Sequence, residues 1–152
     1  MMSRVILVVP RLFLGVIFLV AVRGKLTAPP PGFKVILPGF LQQMLPNAHP
    51  LYQSFAHAIV LPHAGTIAVL IMIGELYVGL AMLFGATTRL ASVVAILLLL
   101  NYMLAKGMNM WTPASNDAAD IILAIVVGVG AAGRVFGIDR MLAERWPRIP
   151  LW

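Results

Sequence analysis

Four stretches of the chain are apolar on every helical face instead of along one stripe. They cover about residues 5–26, 63–85, 88–106 and 117–136, each near the roughly 20 residues that a helix needs to cross a bilayer. A helix that is apolar all round belongs in hydrocarbon or in a protein core. The segment between the first two, residues 33–61, is patterned differently. Leu51, Tyr52, Phe55, Ala56, Ile59 and Val60 share one helical face behind Pro50, with Gln53, Ser54 and His57 opposite. This predicts an amphipathic connector on the outer mouth of a bundle. Residues 137–152 alternate charge with Met141, Leu142 and Trp146, the pattern of a tail lying along a membrane surface. The expected architecture is therefore all-α, an integral membrane four-helix transmembrane bundle, with a long amphipathic outer connector between helices 1 and 2. Residues 1–152 form one membrane domain.

The breaks support this division. Pro29-Pro30-Pro31-Gly32 ends the first span, Thr87 and Thr88 are expected to cap the third, and Asn116 the fourth. A turn from Gly107 to Pro113 carries Trp111, expected as an interface anchor. Ser3 and Arg4 precede the first apolar run, but Arg11 interrupts it and no A-x-A site follows, so an uncleaved first span is expected.

Composition moves the picture further toward lipid. Of 152 residues, 61% are hydrophobic and 11% charged, with a mean hydropathy of +0.98, whereas soluble domains carry about 25% charged residues. The net charge of +6 and pI of 10.6 do not point to nucleic acid, because no basic stripe with interleaved aromatics occurs. The basic residues flank the apolar runs instead. Arg4, Arg89, Arg134, Arg140, Arg145 and Arg148 fall on the side shared by both termini, and Arg23, Lys25, Lys34 and Lys106 on the other. That bias predicts an N-in/C-in, multi-pass protein of a bacterial or archaeal cytoplasmic (inner) membrane. No cysteine is present, which excludes thiolate-bound iron–sulfur clusters, c-type haem attachment and CxxC redox pairs on this chain.

Glu75 is the one ionisable residue of the second span. A carboxylate at that depth costs about 2.5 to 3.5 kcal/mol unless it is paired or protonated. At about 1.5 Å per residue, Arg11 lies about 9 Å and Glu75 about 16 Å from the inner ends of their spans, so an Arg11–Glu75 pair is expected, either structural or catalytic. A second group, Arg23, Lys25, His57, His63, Lys106, Asp117 and Asp120, is expected at the outer rim. It could attract anions, or could be snorkelling cations with aspartates at a helix start. His57 and His63 are six apart with Pro62 between them, the wrong spacing for one helical face, so neither haem nor metal is expected. Gly128-Val129-Gly130-Ala131-Ala132-Gly133 fits a dinucleotide fingerprint by letter only. It lies inside an apolar span, where small residues, like Gly15, Gly74 and Gly79, serve close helix packing.

Several segments together resemble the DoxX/DoxD-like membrane family: Arg11-Leu12-Phe13-Leu14-Gly15, Gly24-Lys25-Leu26, Gly74-Glu75-Leu76-Tyr77-Val78-Gly79-Leu80, Gly85-Ala86-Thr87-Thr88-Arg89, Asn101, and Gly133-Arg134-Val135-Phe136-Gly137-Ile138-Asp139. His49-Pro50-Leu51-Tyr52 and Val60-Leu61-Pro62 resemble its DoxD-like branch most. The family includes the membrane subunit of thiosulfate:quinone oxidoreductase, so the resemblance implies a four-helix membrane bundle and a quinone-linked oxidoreductase complex. An inorganic sulfur anion such as thiosulfate would be attracted by Arg23, Lys25 and His57, with His63 beside them. Glu75 and Arg11 would serve protons or the quinone carbonyl, with Asn101 and Tyr102 as hydrogen-bond partners. Quinone is the one cofactor expected. The alternatives are an accessory subunit of a larger respiratory or photosynthetic membrane complex and, third, a small transporter. Expected partners are lipid, other membrane subunits, and further copies associating through Gly-rich faces.

Overall fold

The computed structural model describes residues 5–113 and 115–151. The expected roles of Ser3 and Arg4 at the start of the first span fall outside the described residues. Seven α-helices follow one another: α1 (Val8–Leu26), α2 (Phe33–Met44), α3 (Pro50–Phe55), α4 (Ala64–Phe84), α5 (Thr88–Ala105), α6 (Asn116–Val129) and α7 (Asp139–Arg145). A 3-10 turn, Leu45–Asn47, joins α2 to α3, and a π-helical turn, Ala56–Val60, carries α3 toward α4. Among the described residues no strand occurs. Among the described residues two helices, α4 and α5, are long and apolar enough to cross a membrane.

The core has two storeys. In the lower one α1, α4, α5 and α6 interlock through Leu14, Phe18, Val78, Met82, Leu99 and Ile121. In the upper one the connector closes over α4 and α5 through Leu37, Leu41, Leu45, Tyr52, Val60 and Ile71. The expected connector thus holds a helix, α2, in its first part. Pro38 sits inside it and masked the 3.6-residue period.

Small residues set the register of α1 on α4. A Cβ on Gly15 would lie 3.0 Å from the Leu83 side chain, and one on Gly79 would lie 2.6 Å from the Leu19 side chain. The two helices are antiparallel neighbours, so Arg11 falls opposite Thr87 and Arg23 opposite Glu75. Arg11 and Glu75 are thereby about 18 Å apart along the axis at 1.5 Å per residue. The expected pair between them does not form.

Arg11 instead anchors a knot at the lower end. Its guanidinium donates to the carbonyls of Ala132 (2.9 Å), Val135 (3.0 Å) and Phe136 (3.2 Å). Asp139, fully buried, accepts from the backbone N–H groups of Thr87 and Thr88 and from the Thr88 hydroxyl. The start of α5 is therefore capped by Asp139 from the far end of the chain, and the threonine side chains do not cap it as expected. The backbone N–H groups of Ile138 and Asp139 donate to the carbonyls of Phe84 (3.1 Å) and Gly85 (2.8 Å), which satisfies the end of α4. Gly85 has φ +64°, and a Cβ there would lie 2.6 Å from an Arg11 nitrogen, so only glycine suits both the turn and the guanidinium.

The knot also shortens the last span. α6 ends at Val129 instead of near residue 136, because Ala131 turns left-handed (φ 47°) and a 3-10 turn, Ala132–Arg134, aims its carbonyls at Arg11. Asn116 is the first residue of α6 and is not its cap; Ser115 precedes it without a side-chain cap. Gly128 packs on Ser92 and Gly130 on Leu7, which is the packing role expected of that glycine run.

Asp139→Ala removes three accepted hydrogen bonds in a buried site and should cost about 3 kcal/mol. The thermal midpoint in mild detergent should fall by roughly 6 to 12 °C. Arg140→Ala, which loses only an exposed i,i+4 contact to Glu144, should leave it unchanged.

Candidate functional site

Within the upper storey, between the connector and the ends of α1, α4 and α5, lies a cavity of about 400 Å³. The register that separates Glu75 from Arg11 carries Lys25, at the end of α1, to the Glu75 carboxylate. Lys25 Nζ is 2.6 Å from Glu75 Oε1. Tyr102, on α5, donates its hydroxyl to the same oxygen at 2.7 Å. Glu75 is fully buried, and its other oxygen, Oε2, has no partner within the protein.

The surroundings favour a charged pair over an isolated carboxylate. The Lys25 ammonium lies 5.5 Å from the Phe33 ring centroid and 5.7 Å from that of Tyr102, two aromatic faces that stabilise a cation. The Lys25 side chain keeps 21% of its exposure, so it links a dry carboxylate to the surface. Opposite the pair the cavity wall is aliphatic and aromatic, with Ile36, Leu37, Phe40 and Leu41 from α2 and Ile67 and Ile71 from α4. Asn101 also lines the cavity and hydrogen-bonds Tyr52, a buried residue of α3. Burial raises the Tyr52 phenol above its ordinary range, and the Asn101 hydrogen bond partly offsets that rise.

Four expected site residues, Lys25, Glu75, Asn101 and Tyr102, therefore meet at one cavity. Arg23, His57 and His63 do not line it; all three are exposed. The His63 imidazole meets the Ile59 carbonyl at 3.0 Å. Of the expected rim, Lys25 and Lys106 both line the cavity, each with its own carboxylate: Lys106 pairs with Asp117 at 2.8 Å and Lys25 with Glu75. The apolar wall contributed by α2 escaped the sequence reading. Phe33, Ile36, Leu37, Phe40, Leu41 and Met44 recur at i, i+3, i+4, i+7, i+8 and i+11, a signal present in the sequence but interrupted by Pro38 and Gly39.

The site and the lower knot use the same segments that carried the family resemblance, now brought together in space. A family model described as TQO small subunit DoxD, TQO being thiosulfate:quinone oxidoreductase, matches residues 6–149. The chain belongs to the DoxD family. No curated protein and no solved structure matches it. As a member of a membrane family, this DoxD-family chain has lipid as its solvent. That accounts for the many apolar side chains left on its outer faces, such as Val20, Leu97 and Val129.

Lys25→Met leaves the Glu75 carboxylate buried without its counter-charge and should destabilise the protein by about 3 kcal/mol. The double variant Lys25→Met/Glu75→Gln should recover part of that loss. A double-mutant cycle on thermal midpoints measures the coupling, and additive effects would contradict a charged pair.

Proposed function

We propose that this chain is the quinone-binding membrane subunit of an oxidoreductase complex that draws electrons from an inorganic sulfur anion such as thiosulfate. The observation that carries this reading is the apolar cavity closed at one end by the Lys25–Glu75–Tyr102 cluster. Its volume of about 400 Å³ lies in the range of small-molecule sites. Its apolar wall suits a lipid-soluble ring, and the polar end suits the ring's oxygens. A quinone bound there would supply a two-electron, two-proton acceptor. Lys25 would fix one ring oxygen by a charge-assisted hydrogen bond and exchange protons with the surface through its exposed portion. Glu75 would hold Lys25 and Tyr102 in place and offer its second oxygen to the ring. Ile36 and Phe40 line the cavity and are also exposed on the flank of the bundle, which supports entry from the hydrocarbon between α1 and α2.

In the proposed setting α1 and α6 cross the bilayer with α4 and α5, as a multi-pass bundle in a bacterial or archaeal cytoplasmic membrane, N-in and C-in. The charges of α1 that would oppose insertion, Arg11 and Lys25, both turn inward to partners. Its outward residues, Phe13, Val16 and Val20, are apolar. Arg23, His57 and His63, exposed toward the connector end, would draw the anion to a partner subunit, because this cysteine-free chain carries no redox side chain to oxidise it.

A second reading is an accessory subunit that stabilises a larger membrane complex. The knot around Arg11 and Asp139, structural throughout, favours it. Gentle purification from the native membrane, with quinone extraction and mass spectrometry of co-purifying proteins, separates the two. About one quinone per chain, lost in Glu75→Ala but kept in Arg140→Ala, is the expected result. A stoichiometric complex with no quinone on this chain would make it the accessory subunit.

A further inference from the structure

Glu75 Oε2 is an open acceptor in a place where acceptors are not left open. Four buried side-chain atoms among the described residues have no hydrogen-bond partner: Arg11 Nε, Glu75 Oε2, Ser92 Oγ and Ser115 Oγ. Of their residues, only Glu75 lines the cavity. An unpaired buried polar group costs about 1–3 kcal/mol, and more when charged. Oε1 already takes two donors, the Lys25 ammonium and the Tyr102 hydroxyl. Two donors on Oε1 fix the carboxylate's orientation and leave its second oxygen unclaimed. A ligand that satisfies it must bring a hydrogen to it.

From this geometry we infer that the cavity binds a hydroxyl-bearing aromatic ring, with the ring hydroxyl donating to Glu75 Oε2. This rests on the quinone reading above and deepens it: the site prefers the dihydroxy (reduced) ring to the dicarbonyl (oxidised) one. A carbonyl oxygen facing Oε2 would set two acceptors against each other in a low-dielectric cavity and leave both unsatisfied. A hydroxyl there forms a charge-assisted bond of the stronger class. The second ring oxygen accepts from Lys25 in either form, so Lys25 contributes little to the choice between them.

The test is equilibrium binding to the full-length protein in detergent micelles, without turnover. The ligands are a short-tailed hydroquinone, its dimethyl ether and the matching quinone. The expected order is hydroquinone tightest, by about tenfold or more over the other two, which corresponds to one additional charged hydrogen bond. Glu75→Gln, whose amide can donate as well as accept, should erase the preference for the hydroquinone while the quinone still binds. If the hydroquinone and its dimethyl ether bind equally well, the inference is overturned and the quinone site survives. If none of the three binds, the quinone reading fails with it. The ether comparison needs no variant, so a Glu75→Gln protein that does not fold leaves the test intact.

Discussion

The structure depends on one constraint: every charge carried into the apolar interior must meet its partner inside the chain. Neither lipid nor a close-packed core offers solvation, and an unpaired buried ion costs several kcal/mol. The register of α1 on α4, set by Gly15 against Leu83 and Gly79 against Leu19, decides which partners are in reach. It sends Arg11 down to three carbonyls after α6 and Lys25 up to the carboxylate of α4. Slipping α1 by one helical turn would strand both cations at once. Two packing contacts between small and large residues therefore govern both ends of the bundle.

The two ends have different characters. At the Arg11 end the hydrogen bonds are dense and short-circuited within the protein. Carbonyls of residues 132–136, the N–H groups of Thr87 and Thr88 and the carboxylate of Asp139 satisfy one another, and glycines at 85 and 133 leave no room for anything else. At the connector end the network is incomplete, with one carboxylate oxygen open and a cavity beside it. Each end keeps one buried polar atom without a partner, Arg11 Nε and Glu75 Oε2, but only the second lines a cavity. An open polar group next to apolar space is complementary to a ligand, whereas one enclosed in a packed knot is not.

The connector supplies the second core and much of the cavity's apolar wall. Without α2, α3 and the π-helical turn, the upper half of α4 would keep only its contacts with α1 and α5, and the apolar side of the cavity would be open. With them, Leu37, Leu41 and Tyr52 close a second core above the carboxylate. The same helix α2 supplies the wall of the cavity and its exposed flank through Ile36 and Phe40.

Hydropathy alone determined that the chain is all-helical, where α4 and α5 run, and that Glu75 needed a partner. Those are properties of a single helix in an apolar solvent, and one-dimensional patterns report them well. The motifs of the DoxD family were also legible, since they are local words in a fixed order. The identity of Glu75's partner was not legible. Depth counted along each helix from its own end put Arg11 within reach, but the offset between helices is a property of their contact, fixed by which glycine meets which leucine. The cap of α5 by Asp139 and the early end of α6 were hidden for the same reason, being made by residues about fifty positions or more away along the chain. Sequence put Glu75 and Arg11 in the apolar interior; only the tertiary structure buried Asp139 and decided what each charge would meet, because pairing depends on register between helices and no single helix encodes it.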